Sequence, residues 1–483
     1  MVKNTQKLVS YGIRFNSING ISTVFSRLLR GLVIPKILGP LSFGLFGSIA
    51  LFTRYLYLFD FGSSAYFYKE VAKTYHEKKS GEYNKLISET FTILVFGIFI
   101  SGCVLFLISL LYDGENIDFY KIAILLTIPS YALTKIREYF MLFLSGTGQY
   151  KKFSVLKILE NWVLLVFISL GIYFFGALGG VVAMLLSEVI LMIAVINNVD
   201  LRPKIFFNFS VLKKVKLYVN QYFIQITEMV AVTADQVLLL VIFGPAGFGF
   251  YILGLSLAWI FEALSEVINN AFYPKIMKAS VKNKEQSINI LQLSLCMFLL
   301  TSVFFIPGSI VGINWLINVH FSDYESGLKI FGILLFFGIS RGGLALLKRG
   351  FIASNKERLF ILISILSMLI SLIFAIIVYL NKISLELAVY YLSFINLFIY
   401  LIYYFFLTSS KHSYYYQNIC LVIGAFLLLF LFQINIQDFY SINNPNIPLM
   451  ITILLYLVPV SIAWLLRNRV ADFLNDYVRK SNG

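Results

Sequence analysis

Apolar stretches long enough to cross a bilayer recur along almost the whole chain, and this recurrence limits the possible folds more than any other feature. A helix needs about 20 apolar residues to span the hydrocarbon core of a membrane. Of the 483 residues, 59% are hydrophobic and 13% are charged, whereas soluble domains carry about 25% charged residues. The connections between the apolar stretches are too short to hold a soluble or catalytic domain. The sequence therefore predicts an all-α polytopic membrane protein.

Fourteen membrane spans are predicted from length and hydropathy. They lie at about 15–34, 42–66, 91–112, 120–144, 154–175, 178–196, 217–243, 249–272, 288–313, 326–347, 359–380, 385–407, 418–434 and 447–466.

The lysine and arginine residues indicate how the spans are oriented. Most of the 39 cationic residues fall before the first span, in alternate connections, or after the last span, and only Lys36, Lys121, Lys329 and Lys382 fall in the other connections. Cytoplasmic connections of membrane proteins carry such an excess of positive charge. Both termini are therefore expected in the cytoplasm. This distribution also explains the net charge of +15 without a nucleic-acid partner.

An internal repeat divides the chain. ILGPLSFGLF at 37–46 resembles IFGPAGFGFY at 242–251, so that Gly39-Pro40 corresponds to Gly244-Pro245. Six predicted spans separate the copies, and an even number gives both copies the same orientation, as in a parallel repeat. We therefore predict an N-terminal six-helix lobe at 1–204, a C-terminal six-helix lobe at 205–410 around a shared central cavity, and an appended helix pair with a cytoplasmic tail at 411–483.

Polar residues form one stripe on the first predicted span. Asn19, Thr23, Ser26, Arg27 and Arg30 lie on one face of an otherwise apolar helix. An arginine facing lipid at mid-membrane costs about 2.5 to 3.5 kcal/mol, so that these side chains are expected to face protein or water.

Arginine is suited to bind phosphate oxygens, because guanidinium stays protonated and offers a planar fork of donors. We interpret Arg27 and Arg30, together with Arg54 in the second span, as substrate-binding residues for an anionic headgroup. The alternative interpretation is that they are structural partners of acidic residues such as Asp60, Glu228 or Asp235.

The corresponding helix of the second half carries an acidic and amide stripe instead, formed by Gln221, Gln225, Glu228 and Asp235. Carboxylates inside spans often relay protons or bind sodium. Glu228, Asp235, Asp60 and Glu266 are therefore candidates either for coupling to H+ or Na+ or for contacts between the lobes. The two interpretations remain open at this point.

Other polar residues receive simpler interpretations. Arg137 and Arg341 lie towards the ends of the fourth and tenth spans, where we expect their side chains to reach the membrane interface, with contacts of a cytoplasmic gate as the alternative interpretation. The three cysteines lie in apolar spans and the three histidines lie far apart, so that no metal site and no cofactor are predicted.

Three segments in order resemble the multidrug, oligosaccharidyl-lipid and polysaccharide exporter superfamily, and within it the polysaccharide-transport branch. They are FSRLLRGLVIPKILGPLSFGLF from Phe25, LFDFGSSAYFYKEVA from Leu58 and LSGTGQYKKF from Leu144. The resemblance covers roughly residues 10 to 410 and implies two six-helix lobes around a cavity that opens alternately to each side of the membrane.

The resemblance also implies a function: translocation of undecaprenyl-pyrophosphate-linked oligosaccharide repeat units, of the O-antigen or capsule kind, across the bacterial cytoplasmic membrane. Membrane lipid, a polysaccharide polymerase and a chain-length regulator are the partners implied. Fourteen spans also resemble lipid II flippases, although Gly31 follows Arg30 where that branch usually has an acidic residue. A cation-coupled multidrug exporter is a further alternative, and a membrane-embedded polymerase or ligase is a distant one, because the outer connections are short. The expected protein is thus not an enzyme.

Overall fold

The computed structural model describes residues 2–76, 80–199, 201, 203–205, 215–282, 284–354 and 356–407. Within these ranges the chain is helical, with two short 3-10 segments at Leu56–Asp60 and Ser322–Gly327 and no strand. The helices are α1 (Val2–Tyr55), α2 (Ser63–His76), α3 (Ser80–Leu111), α4 (Ile117–Gly146), α5 (Tyr150–Ile196), α6 (Val215–Lys282), α7 (Lys284–His320), α8 (Leu328–Ala353), α9 (Glu357–Leu380) and α10 (Leu385–Leu407).

Nine helices of the described ranges, all except α2, are long and apolar enough to cross a membrane. Three of them contain a backbone break at a glycine: α1 at Gly39 (φ 70°), α5 at Gly176 (φ 63°) and α6 at Gly244 (φ 66°). Positive φ interrupts an α-helix and is accessible to glycine at little cost. Each broken helix therefore contains most of two predicted spans, and each of the twelve predicted spans up to residue 407 overlaps an observed helix.

The second span was predicted to run to about residue 66, but α1 ends at Tyr55, and Phe61 and Gly62 adopt positive φ before α2 begins. Aromatic residues in this turn made the apolar run look longer than the helix. The thirteenth and fourteenth spans, predicted at 418–434 and 447–466, lie outside the described residues.

Contacts group the chain into two compact units. Of the described residues, one unit comprises those within Met1–Ser256 and Ser364–Leu385, and the other comprises those within Leu257–Ile363 and Glu386–Leu407. The first part of α6 thus packs with the helices that precede it. The division at residues 204 and 205 stays a prediction.

In the first unit, α4 packs against α2, α3 and α5, and α1 packs along α5. The Tyr139 ring of α4 stacks on Phe67 of α2 with 4.2 Å between centroids. Its hydroxyl donates to the Ile87 carbonyl of α3 at 2.7 Å. Tyr139 therefore connects α4 to both α2 and α3. Other polar side chains of α4, among them Lys135 and Arg137, are also buried.

The two copies of the repeat meet in the first unit through a reciprocal contact. A Cβ atom built on Gly44 would overlap the backbone carbonyl of Pro245, and one built on Gly249 would overlap that of Pro40. Gly44 and Gly249 are repeat counterparts, as are Pro40 and Pro245. The glycines allow α1 and α6 to approach closely just after the break in each helix.

In the second unit, α8 is the most enclosed helix, with 78% of its most apolar window buried. Gly338 lies against Ala258 of α6. Ser265 of α6 donates to the Gly342 carbonyl at 2.6 Å. Small residues on α8 thus allow backbone contact with α6.

Candidate functional site

The polar stripe of α1 packs partly against α5. Thr23 Oγ1 donates to the Asn19 carbonyl at 2.9 Å and accepts a hydrogen bond from Asn161 Nδ2 of α5 at 2.8 Å. Ser26 is fully buried and donates to the Thr23 carbonyl at 3.1 Å. This part of the predicted stripe is therefore a helix contact, which leaves the two arginines as the residues that could bind a ligand.

Arg27 faces the side of α1 that meets α6. Its side chain is exposed, and Gly31, one turn further along the helix, lies against Ser256 of α6. Phe25 lies about 200° away around the helix and forms an exposed ring pair with Trp162, with centroids 6.1 Å apart. Arg27 thus points away from this exposed aromatic surface, and its cavity-facing position stays a prediction.

Arg30 is half-buried and has an incomplete set of hydrogen bonds. Its Nε atom is shielded from solvent and has no hydrogen-bond partner among the described residues. It lies within electrostatic range of both Arg27 and Glu160. A buried guanidinium donor without an acceptor is a candidate for binding an oxygen of a ligand.

Arg54 lies in the last turn of α1 and is half-buried. The neighbouring Tyr55 accepts a hydrogen bond from Thr233 of α6 at 2.9 Å. Arg54 and Arg27 lie on opposite sides of the break at Gly39. Arg54 is about 22 Å from the break along its part of the helix, and Arg27 is about 18 Å from it along the other part. The assignment of Arg54 as a substrate-binding residue stays a prediction.

The four acidic candidates have different surroundings. Asp60 is 4% exposed and lies 3.5 Å from Lys135 Nζ, while also accepting a hydrogen bond from Ser63. Asp235 is buried and accepts a hydrogen bond from Tyr251. Glu266 is exposed, and Glu228 lies in α6 with its side chain outside the described part of the structure. Their roles in ion coupling or between lobes remain untested predictions.

A buried ion network that the sequence interpretation missed lies next to the α1 stripe. Arg137 of α4 is 3% exposed and bonds Glu188 through two nitrogens, at 2.7 and 3.1 Å. Its Nη1 atom lies 2.7 Å from Glu160 Oε2 of α5. Lys157 Nζ contacts both oxygens of the same glutamate, at 2.8 and 2.9 Å.

The expectation that Arg137 and Arg341 reach the interface is wrong for both. Arg341 is 8% exposed, lies 4.2 Å above the Phe337 ring and has Nη1 3.9 Å from Glu262. Hydropathy at a span end does not distinguish a snorkelling arginine from a paired one. The sequence signal that could have indicated pairing was the presence of acidic residues in neighbouring spans.

The contacts of a third buried cation, Lys135, were also missed. It is 2% exposed and lies 3.5 Å from both Asp60 and Glu138, with Nζ 3.3 Å from the Tyr57 ring centroid. The Tyr57 hydroxyl donates to Glu138 at 2.7 Å. Since Tyr131 donates to the Leu56 carbonyl at 2.7 Å, α4 holds the 3-10 segment that follows α1 in place.

Within the ranges that the structure describes, no group of three His, Cys, Asp or Glu side chains is arranged to hold a metal ion. No protein-family model matches the sequence, and a search of curated proteins gives no match.

Solved structures do share the fold. A structure of the lipid II flippase MurJ in an inward closed conformation matches with a TM-score of 0.64 and 16% identity, covering 95% of this chain and 99% of that chain. An inward-facing multidrug resistance MATE family transporter of the MOP superfamily matches with a TM-score of 0.60 and 12% identity, covering 86% of this chain and 98% of that chain. An outward-facing MATE transporter matches with a TM-score of 0.53 and 14% identity, covering 86% and 96%. The chain is thus a multi-pass membrane protein with the fold of MOP superfamily transporters.

Proposed function

We propose that the protein is a flippase for undecaprenyl-pyrophosphate-linked oligosaccharide repeat units in the bacterial cytoplasmic membrane. Arg27 and Arg30 bind the pyrophosphate, and Arg54 contributes from the end of α1. The observation that supports this most is the pair of arginines on the polar stripe of α1, one exposed and one with a buried Nε donor lacking a partner among the described residues. Such donors suit a doubly charged headgroup in a partly dehydrated site.

A lipid II flippase is the second candidate. The MurJ structure covers 95% of this chain, whereas the MATE structure covers 86%. Gly31 after Arg30 speaks against it in the sequence, and in the structure Gly31 meets Ser256 with 3.0 Å between an added Cβ and the serine Cβ. An acidic side chain at this position would need the two helices to separate.

Multidrug export is less well supported. A site for organic cations is expected to present carboxylates, because like charges repel the substrate. The exposed position on the α6-facing part of α1 is the cation Arg27.

The test is reconstitution into liposomes with three substrates: a fluorescent undecaprenyl-pyrophosphate-linked glycan, lipid II, and a cationic dye. We expect translocation of the glycan, and a loss of at least about tenfold in the Arg27→Gln/Arg30→Gln variant, since each charge-assisted hydrogen bond contributes about 1.5 to 3 kcal/mol. Lys36→Gln is the matched control, because it removes an exposed cation from the same helix beyond the stripe. Preference for lipid II or for the dye would replace the proposal with the corresponding alternative.

A further inference from the structure

Near the α1 stripe, the carboxylate of Glu160 and an anionic substrate could compete for the same cation, Arg30. Glu160 of α5 lies within electrostatic range of Arg30. The residue next to it, Asn161, donates to Thr23 of α1 at 2.8 Å, so that the glutamate is held beside the helix that carries both stripe arginines. If Glu160 captured Arg30, this arginine would lose its ability to bind an anionic substrate.

The observed geometry gives Glu160 other partners. Its Oε2 atom lies 2.7 Å from Arg137 Nη1, and both of its oxygens accept from Lys157 Nζ, at 2.8 and 2.9 Å. Arg137 is fixed in turn by its two bonds to Glu188. Both carboxylate oxygens of Glu160 are therefore occupied, while Arg30 Nε has no hydrogen-bond partner among the described residues.

The numbers of positive and negative charges around Glu160 agree with its pairing to Arg137 and Lys157 instead of Arg30. Glu160 and Glu188 are its two anions, and Arg137, Lys157, Arg27 and Arg30 are its cations. The network pairs the two glutamates with Arg137 and Lys157, which leaves the positive charge of Arg27 and Arg30 in excess. Glu138, the remaining carboxylate near Arg137, is paired with Lys135 at 3.5 Å and with Tyr57.

We infer that Arg137 is a positioning residue that holds Glu160 away from Arg30, and thereby keeps Arg30 available to an anionic polyprenyl headgroup. The inference rests on the proposed function and adds to it a residue set, on α4 and α5, that tunes the affinity of the α1 site without touching the substrate. In this arrangement the Glu160 carboxylate lowers the affinity of the α1 site for the anionic headgroup, and Arg137 limits that decrease.

Binding of geranylgeranyl pyrophosphate to the purified full chain in detergent tests the inference, with geranylgeraniol as the uncharged control ligand. Glu160→Gln retains the Arg137–Glu188 pair and removes the competing charge, and we expect it to bind about three- to tenfold more tightly. In an Arg30→Gln background the same change is expected to have no effect, because the arginine that it acts on is absent. A purely structural role of Glu160 would not give a gain that depends on Arg30.

Arg137→Gln is expected to bind about tenfold more weakly, and Arg137→Gln/Glu160→Gln to return to within about threefold of the parent protein. If Arg137→Gln does not fold, the Glu160→Gln pair of measurements decides the matter alone. Unchanged or weaker binding by Glu160→Gln, or an equal gain with and without Arg30, would overturn the inference and leave the proposed function standing. Equal binding of the pyrophosphate and the alcohol by the parent protein would overturn both.

Discussion

Alanine at Gly44 or Gly249 tests the reciprocal contact between the two copies of the repeat. A Cβ atom at Gly44 would overlap the Pro245 carbonyl, and one at Gly249 would overlap the Pro40 carbonyl. Both obstacles are backbone atoms, which cannot rotate away as a side chain can. Each substitution therefore forces α1 and α6 apart.

The magnitude follows from two opposing effects. Replacing glycine by alanine in a helix stabilises it by up to about 1 kcal/mol. Overpacking of a close contact costs about 1 to 3 kcal/mol. Gly20→Ala is the matched control, because Gly20 lies in the same helix and a Cβ there has no atom within 4 Å. We expect Gly44→Ala to be less stable than Gly20→Ala by about 1 to 3 kcal/mol.

The double variant sharpens the test. Once the first added methyl group has separated the helices, the second meets less resistance. The loss of stability in the double variant should therefore be smaller than the sum of the two single-variant losses by about 1 kcal/mol. The measurement is denaturant unfolding in detergent micelles, followed by tryptophan fluorescence, for the two single variants, the double variant and the control. Strictly additive costs, or equal stabilities of Gly44→Ala and Gly20→Ala, would refute the reasoning.

Three further predictions concern the buried polar contacts of the first unit. Lys135→Met should destabilise the protein by about 3 to 5 kcal/mol, because it leaves Asp60 buried without its cation, and adding Asp60→Asn should recover part of this loss in the same unfolding assay. Tyr222→Phe should cost about 0.5 to 1.5 kcal/mol through loss of its 2.6 Å hydrogen bond to a backbone carbonyl of the 3-10 segment after α1, whereas Tyr173→Phe, at a side chain that is 70% exposed, should be neutral; equal effects would contradict the assignment. Glu188→Gln should lower thermal stability by removing the charge that faces Arg137, and a variant as stable as the parent would show that this ion pair is dispensable.

The sequence was sufficient to locate the apolar helices, because spanning length and hydropathy are local properties, whereas the less apolar α2 was not predicted. It also identified the repeat, and the breaks at Gly39 and Gly244 have nearly the same backbone angles, φ/ψ of 70°/172° and 66°/−176°. The third break, at Gly176, was not singled out, although it falls between the fifth and sixth predicted spans.

The pairing of buried charges could not be predicted in the same way. Arg137 and Glu188 are 51 residues apart, and Lys135 and Asp60 lie on different helices. Periodicity assigns a residue to a face of its own helix, but it does not say which helix that face meets. For the candidate site, the stripe on α1 was predicted, whereas the ion network beside it required the packing of α4 and α5.

The concentration of charge on α4 has a consequence for how the chain enters the bilayer during synthesis. The most apolar 18-residue stretch of α4 has a mean hydropathy of 1.2, against 2.8 for that within Tyr83–Leu111 before it and 2.4 for that within Tyr150–Ile196 after it. Lys135, Arg137 and Glu138 would each oppose partition of the isolated helix into lipid by about 2.5 to 3.5 kcal/mol at mid-membrane. A nascent chain that stops after α4 should therefore remain beside the translocon, and it should leave for the lipid only once α5 has emerged and supplied Glu160 and Glu188.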